Sequence, residues 1–511
     1  MTAPNHPPPV PRRRRWWPPT PGQTLAFAVL VVAVVVAVVL SKILNPPIPN
    51  RCDPGLQDER GGGTEGHQVL NRSCIGVTDS SDFEDPGLTE VMARIAEQNH
   101  LASGSGDFYS LGYLLPLEPL AQRTSLSAEL RHELEGAALA QAETNGQDGT
   151  KIKLLVANAG PDNAHWQAVT NSLQAAADGP DRLRAVAGFG NSIEATKEAI
   201  RALTQPGPPG EGPGPVAAIG TRLTADNLSF NPDDRQIEGF FRVAPTNADE
   251  ATTAVALIRQ RQAVRPMLVS DRNMSDAYVD SLGRAFRDAF GNPQMETFNG
   301  AQDALPSAFE TVTLNLCAEP QPDAVYFAGR GEALAAFVRK LAGRNCGDTP
   351  VNIVTGDDIA GLRDAAAMGD SSVVAALGSN VTVTYTGLAH PDLWASTDPG
   401  ASFNTGAVAY LRSAQLDLSD GAAIMGHDAV LLAITAIQRA AGPERAPVTA
   451  SAMIQTLYGV RGAAAMAGAS GPISLTECGD AERKLFPILS ITPSGMPVLI
   501  GPAYAAGNLQ C

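Results

Sequence analysis

Residues 183–203 read LRAVAGFGNSIEATKEAIRAL, and this stretch sets the expectation for the whole chain. Its first five residues are mostly apolar, which is typical of a short buried strand. Residues 188–192 (GFGNS) follow as a glycine-rich turn, and residues 193–203 then place isoleucine and leucine at helical spacing. The stretch therefore predicts a strand, a tight turn and a helix, which is the repeating unit of an α/β sheet.

Ser192 lies at the end of this turn, two residues ahead of Glu194, and we expect it to be the N-cap of the helix. A helix that begins directly after a strand presents free backbone N–H groups at the carboxyl edge of the sheet. Small anionic ligands bind at that edge in open α/β sheets. The turn is thus a candidate half of a ligand site, and the alternative is an ordinary connection between strand and helix.

The length and the net charge of the chain limit the class of protein and the partners that it can have. The chain has 511 residues, more than one hydrophobic core supports, so two or more globular units are expected. Its formal net charge is −16, and the first 50 residues carry +5, which leaves −21 on the remainder. Such an acidic surface argues against nucleic acid, and against anionic lipid, as the main partner.

The N-terminal region divides into a tail and an apolar segment. Residues 1–24 are rich in proline and contain a run of four arginines, which places this tail in the cytoplasm. Residues 25–44 begin with LAFAVLVVAVVVAVVL and, at about 1.5 Å per residue, are long enough to span a bilayer. We interpret them as an uncleaved signal anchor of a single-pass protein of the cell membrane, with the C-terminal part extracytoplasmic. A cleaved signal peptide is the alternative.

Residues 45–72, which contain PPIPN and GGG, are expected to be a linker. All six cysteines lie beyond the apolar segment, and an even number of cysteines in an exported chain indicates disulfides. Proximity in the sequence predicts the pairs Cys52–Cys74, Cys317–Cys346 and Cys478–Cys511. None of these cysteines has C-x-x-C spacing, so zinc or redox chemistry is not expected.

Beyond residue 73, apolar strand patterns alternate with helical patterns, which predicts parallel sheets with helices on both faces. Three extended passages interrupt the alternation: residues 240–246 (FFRVAPT), residues 381–387 (VTVTYTG) and residues 471–475 (GPISL).

Several motifs occur in a fixed order from residue 110 to the C-terminus. They read LGYLLPL with LRHELEGAALAQAETNG, AVAGFGNSIEATKEAI, FFRVAPTN, DAVYFAGRGEALAAFVRKL, MGHDAVLLAITAI, and GPISL with GDAERKLFPILSITPSG. In this order they resemble the type I periplasmic-binding proteins, in particular the branched-chain amino-acid-binding proteins of ABC uptake systems. Residues 74–98 add a strand and a helix that have no place in the family pattern.

The resemblance implies an α/β fold with two lobes, each a parallel sheet with helices on both faces, joined by three hinge crossings. Lobe 1 is expected to comprise residues 73–245 and 387–474. Lobe 2 is expected to comprise residues 246–386 and 475–511. The ligand would lie in the cleft, and the lobes would close on it by hinge motion.

The resemblance also implies which residues meet the ligand. In the family, the serine turn of the first lobe holds a ligand carboxylate and the loop of the next strand adds hydroxyl and N–H groups. The matching positions here are Gly190, Asn191, Ser192, Thr221 and Thr224, and Phe189, within the turn, is a candidate for shaping the pocket. The second lobe supplies a carboxylate or an aromatic ring for an ammonium group, and its candidates are Asp271, Tyr278, Asp357 and Asp358. Arg330 is a further candidate for an acidic ligand. Purely structural roles, as caps or solvated loop residues, remain the alternative for each.

The sequence contains no G-x-S-x-G, H-E-x-x-H or G-x-x-x-x-G-K-[ST] motif, and its histidines lack metal-ligand spacing. We therefore expect that the protein is not an enzyme and that it binds no cofactor or metal. The leading hypothesis is a membrane-anchored solute-binding protein that captures a small polar metabolite, such as an amino acid, and works with an ABC permease or a membrane signalling partner. The alternative is a sensory or scaffolding ectodomain that binds a protein partner.

Overall fold

The computed structural model describes residues 52, 56–60, 72–117, 126–205, 214–301, 304–396 and 402–505. The predicted tail and membrane anchor, residues 1–44, lie outside this range. Within the described part of the chain, no helix is both long enough and apolar enough to cross a membrane.

Strands and helices alternate along most of the chain, as the apolar patterns predict. The strands are β1 (Gln57–Arg60), β2 (Arg72–Thr78), β3 (Phe108–Leu115), β4 (Lys151–Asn158), β5 (Leu183–Gly188), β6 (Ala217–Gly220), β7 (Phe240–Arg242), β8 (Pro266–Asp271), β9 (Gln294–Phe298), β10 (Ala324–Ala328), β11 (Val351–Thr355), β12 (Val381–Thr386), β13 (Met466–Gly468), β14 (Gly471–Ile473), β15 (Leu485–Ile491) and β16 (Pro497–Tyr504).

The described helices are α1 (Thr89–Ser105), α2 (Leu126–Asn145), α3 (Trp166–Asp178), α4 (Glu194–Thr204), α5 (Asn247–Gln260), α6 (Ala277–Phe290), α7 (Leu305–Leu316), α8 (Gly331–Leu341), α9 (Ala360–Ala367), α10 (Ser371–Leu377), α11 (Leu393–Ser396), α12 (Thr405–Ser413), α13 (Ala422–Ala441) and α14 (Ala450–Tyr458).

Two seven-stranded sheets form the centres of two lobes. The first has the order β1-β2-β4-β3-β5-β6-β7, and its strands from β4 to β7 run parallel. The second has the order β16-β15-β12-β11-β10-β8-β9, with β12, β11, β10, β8 and β9 parallel. Most of the parallel strands read as continuous apolar runs because helices cover both of their faces.

The chain returns to the first lobe after β12. Helices α12, α13 and α14 share a hydrophobic core with α2 and with strands of the first sheet. Helices α2 and α13 approach backbone to backbone at two glycines. A Cβ on Gly136 would lie 1.8 Å from the carbonyl oxygen of Ala423, and a Cβ on Gly426 would lie 2.0 Å from that of Glu133. This close packing sets the N-terminal part of α2 beside the residues that precede α13.

Part of the predicted linker belongs to the folded domain. Strand β1 lies within residues 45–72 and pairs antiparallel with β2, and the disulfide Cys52–Cys74 ties the same segment to β2. A linker was expected because glycine and proline are frequent there, but β-pairing and a disulfide override that composition. Strand β2, which the resemblance leaves unplaced together with helix α1, extends the first sheet and runs antiparallel to β4.

Two of the predicted disulfides are confirmed. Cys52–Cys74 and Cys317–Cys346 are bonded. Cys478 is also disulfide-bonded. Its predicted partner, Cys511, lies outside the described residues, so that pairing stays a prediction.

Candidate functional site

The turn between β5 and α4 needs glycine at two positions. A Cβ on Gly188 would come within 2.5 Å of the carbonyl oxygen of Leu114, and one on Gly190 would meet the ring of Pro116 at 2.4 Å. Both glycines also adopt positive φ angles, of 98° and 69°, which glycine adopts without strain. The turn therefore folds tightly against the end of β3 and leaves residues 190–192 facing the second lobe.

Ser192 does not cap helix α4, so that prediction is wrong. The N-cap is Ile193, and no side chain caps the helix there. The Ser192 hydroxyl instead accepts a hydrogen bond from the backbone N–H of Ala225 at 3.4 Å, within the first lobe. Its carbonyl oxygen accepts bonds from the second lobe: the backbone N–H of Tyr278 at 3.2 Å and Nη2 of Arg330 at 3.3 Å. Ser192 is thus a contact point between the lobes.

A cavity of about 50 Å³ lies between the lobes at this turn. It has room for a few water molecules. Both lobes contribute to its wall, which is formed by Glu129, Gly190, Asn191, Ser192, Arg222, Thr224, Tyr278, Arg330, Asp357, Asp358, Ile359, Arg363, Tyr385, Gly387, Leu388, Asp420 and Leu489.

Most of the residues named from the sequence reach this cavity. Gly190, Asn191, Ser192 and Thr224 line it from the first lobe, and Tyr278, Arg330, Asp357 and Asp358 line it from the second. They converge because β5 and β6 end at one edge of the first sheet, and β10 and β11 end at the facing edge of the second.

Phe189, Thr221 and Asp271 are placed elsewhere. Phe189 is fully buried in the hydrophobic core behind the turn, and Thr221 is fully buried at the end of β6. Asp271 accepts hydrogen bonds from the backbone N–H groups of Asn273 at 2.9 Å and Gly300 at 3.0 Å, and so fixes the loops after β8 and β9. None of the three is in the cavity wall.

Four charged residues of the wall were not predicted: Glu129, Arg222, Arg363 and Asp420. Arg222 directly follows Thr221, so its position beside a candidate residue was the available signal. Glu129 lies in the first turn of α2, and Arg363 in α9, where a charged residue reads as a solvated helix face. Asp420 reaches the site only through the packing of α13 on α2.

Arginines and carboxylates form a paired network around the cavity. Within the first lobe, Arg222 donates from Nε to Glu133 at 2.7 Å and from Nη1 to Glu129 at 3.0 Å. Within the second, Arg330 binds both oxygens of Asp276, at 2.7 and 2.8 Å, and lies 3.2 Å from Asp358.

Arg363 joins the two lobes. Its guanidinium lies 3.5 Å from the Glu129 carboxylate and 3.6 Å from that of Asp420, both of the first lobe. These distances are longer than those of ordinary charge-assisted hydrogen bonds. Burial raises the pKa of Glu129 to about 7, against the opposing effect of Arg222 and Arg363. The interlobe ion pair is therefore sensitive to protonation near neutral pH.

Asp357 differs from its charged neighbours. Among the described residues, no lysine, arginine or histidine lies within 4.0 Å of its carboxylate. The Thr224 hydroxyl of the opposite lobe approaches one of its oxygens at 3.5 Å. Burial, and then the charge of Asp358, raise the pKa of Asp357 to about 6. Within the part of the chain that the structure describes, the cavity thus presents a carboxylate without a cation of its own.

Comparison with known proteins shows which solved structures share this fold. No protein-family model matches the sequence, and no curated protein does. Solved structures match strongly in three dimensions. A leucine-binding protein LivK from Thermotoga maritima is 18% identical and matches over 78% of this chain and 100% of its own, with a TM-score of 0.58. LivJ from Streptococcus pneumoniae, in complex with isoleucine, is 16% identical over 78% and 99%, with a TM-score of 0.56.

The chain has the type I periplasmic-binding-protein fold. The expectation drawn from the ordered motifs is thereby confirmed. A further match is a solute-binding protein of an ABC transporter from Rhodopseudomonas palustris in complex with benzoate, 16% identical over 78% of this chain and 96% of that one, with a TM-score of 0.54. These similar proteins are solute-binding proteins.

Proposed function

We propose that this type I periplasmic-binding-protein fold captures a small polar solute between its lobes, as an extracytoplasmic binding protein for ABC-type uptake or sensing. One observation carries the proposal. The cavity between the lobes is lined on one side by the serine turn and on the other by Asp357, a carboxylate without a cationic partner in the described residues.

The two sides of the cavity fit the two ends of a zwitterion such as an amino acid. Asn191 and Ser192 precede the N-terminus of α4, where the helix dipole favours a ligand carboxylate by about 0.3–1 kcal/mol. Nη2 of Arg222 is buried without a hydrogen-bond partner in the described structure and is a further donor. Asp357, beside the ring of Tyr278, would bind the ammonium group.

The composition of the cavity wall favours a polar solute over a large apolar one. Seven of its residues are charged, and aliphatic side chains come from Ile359, Leu388 and Leu489. A large apolar side chain would strip water from these charged groups without replacing its hydrogen bonds, which is costly. We therefore infer a small polar amino acid or related metabolite.

We retain the remaining sequence-based interpretations as parts of this proposal. Residues 25–44 anchor the chain in the membrane by one helix, and residues 73–245 with 387–474 form lobe 1. Residues 246–386 with 475–511 form lobe 2. The chain is not an enzyme, it needs no cofactor, and its partner is an ABC permease or a membrane signalling protein.

A thermal-shift screen of the full-length protein against amino acids and small polar metabolites tests the proposal. A ligand at 100 times its Kd stabilises a folded protein by about 2.7 kcal/mol, which corresponds to a shift of a few degrees in Tm. We expect shifts from polar zwitterions and none from benzoate. If no compound in the library shifted the Tm of the folded protein, solute capture would be contradicted.

A filled cleft would favour the alternative, a sensory or scaffolding ectodomain that binds a protein partner. The small cavity and the direct bonds from Tyr278 and Arg330 to Ser192 are the observations on its side. A silent screen would therefore move the assignment to that class.

A further inference from the structure

Glu250 is a buried carboxyl group directly behind the Asp357 turn. It lies in the first turn of α5, just after the chain enters the second lobe, and none of its surface is exposed. Among the described residues, no lysine, arginine or histidine lies within ion-pair distance of it. A buried carboxylate without a cation is strongly unfavourable, so such groups usually bind a proton instead.

The hydrogen bonds of Glu250 connect three parts of the fold. Its Oε2 atom accepts from the backbone N–H of Asp357 at 3.1 Å and from the hydroxyl of Thr386 at 2.9 Å. Thr386 is the last residue of β12, where the chain leaves the second lobe. One oxygen of Glu250 thus joins the start of α5, the end of β12 and the turn that carries the unpaired carboxylate.

The packing around this oxygen is tight. A Cβ on Gly356 would lie 2.7 Å from Oε2 of Glu250 and 2.6 Å from the Tyr278 hydroxyl, so a larger residue before Asp357 would displace these side chains. The other oxygen, Oε1, is buried without a hydrogen-bond partner in the described structure, and so is the hydroxyl of Tyr326. With a proton on Oε1, the carboxyl group is neutral while Oε2 still accepts both of its hydrogen bonds.

The charged and titratable groups around Glu250 favour the neutral form. Asp357 in the turn after β11 and Asp226 in the short helix before β7 are acidic, and Tyr278 of α6 and Tyr326 of β10 are buried phenols. Burial, and then the charge of Asp357, raise the pKa of Glu250 well above its ordinary value. The dipole of α5 favours the charged form, but by less than burial disfavours it.

We propose that Glu250 is a positioning residue for solute binding, whose neutral carboxyl group locks the Asp357 turn to the two crossings between the lobes. This inference rests on the proposed function, because Asp357 is the residue that it positions for the ligand. Glu250 itself lies behind the cavity wall and does not line it.

Three variants of the full-length protein separate this role from a general structural one. Glu250→Gln keeps an oxygen that accepts both hydrogen bonds but does not titrate. Glu250→Ala removes the acceptor, and Thr386→Val removes one donor in case the alanine variant does not fold. Gln260→Ala, at an exposed site on the same helix, is the matched control.

The first readout needs no ligand. Because the pKa of Glu250 is raised in the folded state, its stabilising effect is complete below the unfolded pKa of about 4.3 and is lost as pH rises through the folded pKa. We expect the Tm of Glu250→Gln minus that of the wild type to increase from pH 5 to pH 8, while Gln260→Ala follows the wild type. If the Tm values of Glu250→Gln and the wild type changed in parallel with pH, the claim that Glu250 is neutral in the folded protein would be wrong.

The second readout measures positioning directly. Amide hydrogen exchange in the peptide that contains residues 356–358 should be at least about tenfold faster in Glu250→Ala and Thr386→Val than in the wild type, and unchanged in Glu250→Gln. Equal exchange in all variants would overturn the positioning role.

The third readout connects the residue to binding. The probe is an equimolar mixture of the twenty proteinogenic L-amino acids, and its Tm shift should persist in Glu250→Gln and require about tenfold more probe in Glu250→Ala. An unchanged response in Glu250→Ala would overturn the proposal. If the wild type itself does not respond, the proposed function fails, whereas the Tm and exchange measurements still decide the role of Glu250.

Discussion

Asp357 is the residue on which the proposed ligand chemistry depends. The three arginines of the cavity are each engaged by carboxylates, at distances from 2.7 to 3.6 Å. A solute carboxylate must therefore share an occupied cation or use backbone N–H groups, whereas a solute ammonium meets Asp357, which has no cationic partner among the described residues. In the proposed site, this asymmetry makes the end that binds the ammonium group the more selective one.

Solute affinity should fall as the solution becomes acidic. The pKa of Asp357 is raised to about 6 by burial and by Asp358, so its ammonium-binding form is depleted below that pH. At pH 5 about a tenth of the carboxyl remains charged, and we expect Kd for an amino acid to be about tenfold higher than at pH 7.5. Calorimetric titration with the same amino acid at both pH values measures this change. A Kd that stays constant or falls on acidification would contradict the role of Asp357.

A bulky side chain at position 192 should abolish binding. Ser192 is 3% exposed and stands at the wall of a cavity of about 50 Å³, so the ring of Ser192→Phe would occupy the ligand space or hold the lobes apart. Ser413→Phe, at an exposed position of α12, is the matched control. Binding measured by thermal shift should be lost in the first variant and kept in the second. Unchanged binding in Ser192→Phe would exclude the turn from the site.

At the scale of elements, a buried ion pair joins the crossing segments. Arg242 ends β7, and its Nε lies 2.7 Å from Asp480, in the loop that leads to β15. Arg242 also donates to the carbonyl oxygens of Leu223 and Ala225, at 3.2 and 2.7 Å. The pair thus fixes the loop after β6, which carries Thr224, to the loop that leads into β15.

Removing Arg242 should lower the free energy of unfolding substantially. Arg242→Ala leaves the buried Asp480 carboxylate without its partner, and we expect a loss of about 3–5 kcal/mol in the free energy of unfolding. The pair Arg235–Asp233 has the same 2.7 Å distance, but its side chains are 82% and 52% exposed, so Arg235→Ala should change the free energy of unfolding far less. Denaturant unfolding of both variants checks the contrast. Equal losses would show that burial does not determine the strength of the pair.

Some elements could be predicted from the sequence, and others could not. The β5–turn–α4 unit is encoded locally, by an apolar run, two glycines and helical spacing. Strand β9 escapes prediction because it is an edge strand with mostly exposed side chains and lacks a clear apolar pattern. The N-cap on Ser192 fails because its hydroxyl has a tertiary partner, Ala225, which local sequence does not reveal.

The residues of the candidate site also fall into those that sequence could predict and those that it could not. Gly190, Ser192 and Asp357 lie at the ends of strands that the sequence places, and the resemblance adds their roles. Glu129 and Asp420 could not be found, because they meet only through the packing of α2 on α13, and their charges look like those of any solvated surface. Sequence therefore predicts the parts of a site at strand ends and misses the parts that tertiary packing brings to it.

At the scale of the molecule, the lobes are held together by contacts of their own. The Ser192 carbonyl accepts two hydrogen bonds from the second lobe, and Arg363 faces two carboxylates of the first. Because these charged side chains are largely buried, the cost of removing them from water offsets much of their attraction. A solute that bridges Ser192 and Asp357 would add contacts in the same direction, so the fold is well suited to close around a ligand.

Calorimetric titration of the full-length wild type and of Asp357→Asn, with the amino acid that gives the largest thermal shift, tests the central claim most directly. The asparagine keeps the shape of the side chain and removes its charge. We predict one site per chain in the wild type and an affinity at least about tenfold weaker in the variant. Equal affinity in the two proteins would contradict capture of a polar zwitterion between the lobes.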